Sequence, residues 1–350
     1  MTFDDILEIK NGRNQRTVEN PEGKYPIYGS GGIMGYADDY ICEADTVIVG
    51  RKGSINNPIF VDEPFWNVDT AFGLQAKREV LLPRYLFYFC KHFDFERLNK
   101  AVTIPSLTKS DLLKIELDLP DLKRQQKIVD KLLSVENIIK LRQSELHKLD
   151  GLVRARFVEM YGDPASNPMG WPETTVGNVC HYIKDGPHKS LPNIGQENGG
   201  HPFISVRNIV NHVIDFSTAK YISDEDYAEA RKKCSPEKGD MLYSKGGTTG
   251  IAKLVDIDVE FANWVHLAVL KFDHSVLDGI FFENMLNCDY CYDQSQRLTK
   301  GIANRDLVLS AMAQIKIYRP PMVLQEQFAA FVAQVDKSKQ AREYSGKLAA

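Results

Sequence analysis

Residues 121–161 read DLKRQQKIVDKLLSVENIIKLRQSELHKLDGLVRARFVEMY, and this stretch decides the architecture. It follows Leu119-Pro120, opens on Asp121 as a helix N-cap, and holds no glycine before Gly151 and no proline before Pro164. One long helix is expected. Alternating steps of four and three pick out Ile128, Leu132, Val135, Ile139, Arg142, Leu146, Leu149, Val153, Arg156 and Met160, eight of them apolar. That is the seam of a coiled coil. At about 1.5 Å per residue such a helix spans roughly 55 Å, too long to lie inside one compact domain.

Outward from the helix the chain repeats itself. RLNK at 97–100 returns as RLTK at 297–300, an offset of 200. At the same offset Leu107 meets Leu307, Ser110 meets Ser310, Ile115 meets Ile315, Pro120 meets Pro320, Gln125 meets Gln325, Val135 meets Val335 and Arg142 meets Arg342. Apolar character is kept at Leu112 and Met312, Leu117 and Ile317, Ile128 and Phe328, and Leu132 and Val332. Upstream, with gaps, Asn67 falls on Asn263, Asp45 on Asp240, Tyr25-Pro26-Ile27 on His201-Pro202-Phe203, and Gly12 on Gly186. A duplicated globular stretch, each copy followed by a helix, is the reading. The second helix starts at Pro320-Pro321, runs through Phe328, Val332 and Val335, and is shorter than its twin. Neither helix can bury its seam alone, so the two are expected to pair antiparallel; the alternative is that each packs on its own domain.

Composition sets outer limits. The 350 residues, 43% hydrophobic and 26% charged, suffice for two globular domains. Cys42, Cys90, Cys180, Cys234, Cys288 and Cys291 are scattered, with no secretory segment ahead of them. Reduced thiols and a cytoplasmic location are expected. No apolar run approaches the roughly 18 residues that a membrane span needs. The 43 basic and 47 acidic residues give a net charge of −4, the reverse of a uniformly basic nucleic-acid binder. Any DNA contact therefore comes from local clusters on otherwise acidic domains, or gains from basic partner subunits around the same duplex.

IPSLTKSDLLKIELDLPDLKRQQKIVDKL at 104–132 resembles the distal region of the specificity subunits of type I restriction-modification systems, where a short strand, a proline and a glutamine lead into a spacer helix. ANRDLVLSAMAQIKIYRPPMVLQEQFAAF at 303–331 is similar, and FVEMYGDPASNPMGWPETTVGNV at 157–179 looks like the family's passage into its second recognition domain. The resemblance implies an α+β fold with a pseudo-two-fold internal repeat. Two similar α/β target-recognition domains, 1–120 and 164–320, would be separated by two long helices, 121–163 and 321–350, forming an antiparallel coiled coil. It further implies a non-catalytic chain, with no cofactor or metal, that reads a bipartite target in double-stranded DNA. Its partners would be two methyltransferase (M) subunits and restriction (R) subunits; no membrane is involved.

Several residues suit DNA contact. The strand Thr46–Val49 runs into Gly50-Arg51-Lys52-Gly53-Ser54, and Met241-Leu242-Tyr243 runs into Ser244-Lys245-Gly246-Gly247-Thr248-Thr249-Gly250. Arg51 and Lys52 fit guanine edges or phosphates, Ser54 adds a hydroxyl, and Lys245, Thr248 and Thr249 fit phosphates or mixed base contacts. Glycine-rich basic loops are also ordinary hairpin turns. Arg97 with Lys100, and Arg297 with Lys300, are shared by both halves, with Thr103 and Arg305 close behind; phosphate positioning fits them better than base reading, with structural salt bridging as the alternative. Lys189, Arg207 and Asn208 are further candidates in the second half.

Other readings fare worse. PIYGSGG at 26–32 and NPIF at 57–60 mimic the cofactor loop and catalytic tetrapeptide of a DNA adenine methyltransferase, but too few residues lie between them for the intervening βα units. No GxxxxGK[ST] loop is present. Cys288-Asp289-Tyr290-Cys291 is a lone CxxC without the second pair nearby that a zinc site needs. A pure coiled-coil scaffold leaves two sizeable domains without a purpose.

Overall fold

A computed structural model describes residues 1–100, 104–302 and 304–349. The chain divides into two compact units, Met1–Leu141 and Arg142–Ala350.

In the first unit α1 (Phe3–Ile6) runs directly into β1 (Leu7–Asn11), followed by β2 (Tyr25–Gly29), β3 (Gly32–Ala37), β4 (Thr46–Gly50), β5 (Ile59–Val61), β6 (Trp66–Asn67) and β7 (Ala71–Ala76). Then come α2 (Pro83–His92), α3 (Lys109–Leu112) and the start of α4 (Leu122–Tyr161). The main sheet is antiparallel in the order β1-β7-β4-β5. A smaller sheet, β3-β2-β6, pairs β2 antiparallel with β3 and parallel with β6. Every residue of β4 is buried. Phe3, Ile6, Leu74, Leu86 and Phe95 close the core around it.

The second unit follows the same plan. After α4 it holds β8 (Glu173–Thr175), α5 (Val176–Val179), β9 (Cys180–Asp185), β10 (His201–Ile204), β11 (Lys220–Ile222), α6 (Asp224–Lys233), β12 (Met241–Ser244), β13 (Ala252–Leu254), β14 (Ala262–Asn263) and β15 (Leu267–Phe272). α7 (Gly279–Asn287), α8 (Asp289–Leu298), α9 (Leu309–Met312), β16 (Lys316–Tyr318) and α10 (Met322–Ala349) complete it. Its main sheet runs β9-β15-β12-β13 and its smaller one β11-β10-β14, strand for strand the order of the first unit. β16 and β8 form an additional pair.

Small details repeat as well. Asn67 and Asn263 are fully buried, and their Nδ2 groups donate to Ala71 O at 3.1 Å and Leu267 O at 2.8 Å, tying the small sheet to the large one. A Cβ on Gly12 or Gly186 would stand 1.8 Å from Val68 O or Asn263 O, so the crossing backbones permit only glycine there. Phe3 N bonds Ile115 O, and Val176 N bonds Ile315 O, both at 2.9 Å.

In the second unit the later part of α4 packs antiparallel on α10. Tyr161 Oη donates to Leu324 O at 2.9 Å, the Phe157 and Phe328 rings lie 5.5 Å apart, and Lys339 Nζ meets Asp150 at 2.8 Å. Val153, Phe157, Val332 and Val335 are buried between them, which stabilises by roughly 1.5–3 kcal/mol per large apolar side chain. The first part of α4 differs from the expected seam. Gln125 and Val129 are buried there, and Tyr88 Oη donates to Glu136 at 2.9 Å, so this part of the helix lies on its own unit. Leu132, Val135 and Ile139 are left exposed. The heptad steps chose the adjacent stripe because the polar anchors Gln125 and Glu136 are invisible to an apolar count.

Candidate nucleic-acid interface

The glycine loop of each unit leaves the end of a buried central strand, which fixes its root. In the first unit Arg51 N and Lys52 N donate to Thr70 O at 2.8 and 3.2 Å. Gly53 N donates to Pro105 O at 3.0 Å, and Leu107 N returns a bond to Arg51 O at 2.9 Å. The loop is thus stapled to the segment that follows Arg97 and Lys100. Arg51, Lys52 and Ser54 are exposed, with Ile55 buried behind them as an anchor and the Arg51 guanidinium 5.8 Å from the Phe72 ring.

The second unit makes the same staple. Gly247 N donates to Arg305 O at 3.1 Å, and Leu307 N to Lys245 O at 2.7 Å. Lys52 bridges Ser106 where Gly246 bridges Asp306. Arg51 therefore corresponds to Lys245, Gly53 to Gly247 and Pro105 to Arg305. Gly53 and Gly247 have φ of +80° and +70°, which only glycine adopts freely.

The side chains diverge where the backbones agree. Lys245 is buried, its Nζ 2.9 Å from Asp306 and 3.5 Å from Asp185, so its charge is compensated inside the unit. Thr249 is buried too: its Oγ1 lies 3.0 Å from Thr299 Oγ1, and Gln296 Nε2 donates to its carbonyl at 3.0 Å. Arg305, exposed, donates to Gln296 Oε1 and, at 3.5 Å, to Thr249 Oγ1. Thr248 is exposed beside it. Gln296 had no signal in the sequence, since it lies on α8 and reaches the loop only through the fold.

Arg97 and Lys100 have side chains 77% exposed, with Arg97 Nε 3.6 Å from Asp94 and Lys100 Nζ 3.0 Å from Asp111. The Lys100 ammonium, then the Thr108 hydroxyl, hold the Asp111 carboxyl below its ordinary value. Arg297 and Lys300 are exposed, and Lys300 N and O pair with Asp306 O and N. Thr103 lies outside the described residues. Lys189, Arg207 and Asn208 belong to the region of the small sheet instead. Lys189 Nζ is 3.8 Å from Asp226, and Arg207 donates to Thr218 O at 2.6 Å. Asn208 is buried, capping the turn through Ser205 N at 2.9 Å and donating to Asp215 O at 2.8 Å.

The methyltransferase mimics take other forms: PIYGSGG is the antiparallel hairpin of β2 and β3, with no helix following β2, and Asn57-Pro58 precedes β5. Cys288 caps α8 and Cys291 is buried within it, its thiol pushed well up by burial. Among the described residues no three His, Cys, Asp or Glu side chains converge as a metal site, and no helix is long and apolar enough to cross a membrane.

A family model, the type I restriction modification DNA specificity domain, matches residues 1–150 and again 168–345. The chain belongs to that family. The double match falls on the two copies of the repeat, so this specificity-domain chain carries its domain twice. It is 30% identical over 142 residues to a putative type I specificity subunit of Mycoplasma pneumoniae, covering 38% of this chain and 46% of that protein. It is 28% identical over 131 residues to a putative type I specificity subunit N-terminus of the same organism, covering 35% and 70%. The chain thus spans about half the length of the first of these relatives. In fold it is similar to a type I restriction-modification S subunit from M. genitalium, with a TM-score of 0.61 at 18% identity over 99% of this chain and 91% of that one. A structure described as bearing on assembly and conformational transition of the type I R-M system gives a TM-score of 0.54 at 16% identity, covering 99% and 93%.

Proposed function

We propose that this chain is the non-catalytic, sequence-reading subunit of a type I restriction-modification complex, with 1–120 and 164–320 as target-recognition domains and 121–163 and 321–350 as spacer helices. One observation carries the reading. Both units staple a glycine loop to a cation-bearing segment through matching backbone bonds, yet present different side chains there. Shared backbone and shared cations suit phosphates, and divergent loop side chains suit different bases. In this reading Arg51, Lys52 and Ser54 serve the first half of a bipartite target, and Thr248 and Arg305 the second. Arg97, Lys100, Arg297 and Lys300 position the phosphates, while Lys245 and Thr249 support the loop from inside. Lys189, Arg207 and Asn208 are peripheral. Two methyltransferase subunits dock on the spacer helices, where Leu132, Val135 and Ile139 stand exposed, and restriction subunits join that core in the cytoplasm.

The test is a methylome of cells with and without this chain beside its methyltransferase partner. Adenine methylation at one bipartite motif should vanish when the chain is removed. Persistence of the same motif without it would overturn the assignment.

A further inference from the structure

The β2–β3 hairpin of the first unit exposes three large apolar side chains within four residues: Ile33, Met34 and Tyr36 are 56%, 61% and 45% exposed. β3 is the edge strand of its sheet, with β2 on one side; on the other, Glu19 bridges Ala37 and Asn20 N donates to Tyr36 O at 2.9 Å, which leaves the turn-proximal Ile33 and Met34 uncovered. Its register shifts so that Tyr28 faces Ile33 while Ile27 faces Gly35, leaving Met34 without a partner across the ladder. Proteins ordinarily blunt an exposed apolar edge strand with charge, proline or a bulge; neither charge nor proline occurs between Gly32 and Ala37, and the register shift still leaves Ile33 and Met34 exposed. In the second unit, β11 occupies the same sheet position with Ile222 buried and Lys220 and Tyr221 partly buried, so the feature belongs to the first unit.

Its surroundings say what covers it. The hairpin turn lies against the candidate loop: Ser30 Oγ donates to Lys52 O at 3.4 Å, and a Cβ on Gly50 would stand 3.1 Å from Ser30 Cβ. Both hang on one stretch, since Val68 N bonds Tyr28 O while Lys52 N bonds Thr70 O. The turn end is thus flanked by the exposed Arg51 and Lys52. The opposite end carries Glu19, 3.6 Å from the Cβ position of Gly35, Asp38, held by Asn20 at 3.0 Å, and Asp39, against a single Lys24 whose Nζ lies over the Tyr25 ring at 5.3 Å, so acid outweighs base there. A polyanion is attracted to the turn and repelled from the far end. The B-DNA major groove admits a two-stranded ribbon, and apolar side chains there contact the thymine methyl group.

We propose that the β2–β3 hairpin enters the major groove turn first and seats Ile33 and Met34 on thymine methyl groups of the first half-site, with Arg51 and Lys52 on the flanking backbone or bases. This rests on the DNA-reading function proposed above and adds an apolar reader that no motif in the sequence marks.

The experiment uses the complex of the full chain with its methyltransferase partner and a target selected from a random duplex library. Each thymine of the first half-site is replaced in turn by deoxyuridine, which removes only the methyl. For the unaltered chain, at least one replacement should weaken binding about fourfold, the worth of one buried methyl group. The variant I33S/M34S should bind the thymine target more weakly and no longer distinguish it from deoxyuridine, with the second half-site unaffected. Both positions are exposed, so its Tm should stay unchanged. Retained discrimination in that variant, or a selected first half-site without thymine on either strand, overturns the proposal. So does a changed oligomeric state at unchanged DNA affinity, which would assign the strand to a second copy of this chain. Alanine at Arg51 and Lys52 separates the two levels. If that variant loses first half-site binding while I33S/M34S does not, the DNA-reading function stands and the hairpin proposal falls. If neither loses it, the DNA-reading function falls as well.

Discussion

Gln125 and Gln325 stand in the same place in the two halves, each fully buried in the first turn of a long helix and each making three hydrogen bonds. Gln125 Oε1 accepts from Leu82 N at 2.8 Å, and its Nε2 donates to Val80 O and Pro120 O, both at 2.8 Å. Gln325 Oε1 accepts from Asp278 N at 3.0 Å, and its Nε2 donates to Val276 O at 3.2 Å and Pro320 O at 2.8 Å. Leu82 and Asp278 are the N-caps of α2 and α7, so one amide locks the start of the long helix to the start of an earlier helix of the same unit. Gln125→Leu and Gln325→Leu strand buried backbone groups and should each destabilise by at least about 2 kcal/mol. Urea unfolding checks this, with the exposed Gln126→Leu as a control that should shift little.

Phe157 should be the most costly single truncation in the helix pairing of the second unit. Its ring lies 5.0 Å from Tyr161, 5.5 Å from Phe328 and 5.8 Å from Phe281, so it joins α4, α7 and α10. Phe157→Ala should cost about 3–5 kcal/mol, whereas Lys339→Ala, which breaks the partly exposed pair with Asp150, should cost under about 1 kcal/mol. Denaturant midpoints of the two variants decide it, and equal shifts would contradict the packing argument.

The repeat was legible because its anchors depend on residue type: the buried amides of Gln125 and Asn67, and the bare Cα of Gly12 where no Cβ fits, each have a counterpart in kind. The sheet order was not, because β4 and β12 are buried along their whole length and show no alternation to read. Nor was the fate of Lys245, which reads as a free loop cation. The Asp306 and Asp185 that neutralise it lie far away in sequence, and only the fold brings them within 4 Å. The staple between loop and segment is made of backbone bonds, which leave no side-chain signature at all.

Asp111 restrains a candidate phosphate contact. Its carboxylate holds Lys100 Nζ at 3.0 Å, and that bond, with the one from Thr108, depresses its pKa. The stability it supplies is complete above the ordinary carboxylate value of about 3.9 and is lost as the pH falls through the depressed value of the folded state. At neutral pH, Asp111→Asn should release Lys100, raise affinity for all DNA sequences and steepen the salt dependence. Binding isotherms at several salt concentrations test this, and an unchanged slope would show that Lys100 touches no phosphate.

Arg97 and Arg297 occupy matching positions and are both exposed. If they hold phosphates, Arg97→Ala and Arg297→Ala should each weaken binding to every sequence and reduce the salt slope by about one. A competition series against unrelated duplexes is the check, and a change in preference between targets would move these residues from phosphate to base.

The loop side chains should behave in the opposite way, because they diverge over a common backbone. Arg51→Ala with Lys52→Ala should relax discrimination at the first half-site alone, by about 1–3 kcal/mol for each bidentate pair of hydrogen bonds to a base that the change removes. Arg305→Ala with Thr248→Ala should act on the second alone, and Gln296→Ala should reproduce part of that effect, since Gln296 accepts a bond from the Arg305 guanidinium. Lys245→Ala is different in kind. It leaves Asp185 and Asp306 without their buried cation, although Lys233 Nζ remains 3.0 Å from Asp185, so it should lower stability as well as binding. The measurement is a panel of duplexes in which each half-site is varied separately, read beside an unfolding curve for every variant. Loss of discrimination at both half-sites in the Arg51 and Lys52 variant would end the assignment of one reader to each half. A Lys245 variant that weakened binding at full stability would return Lys245 to the DNA-facing set.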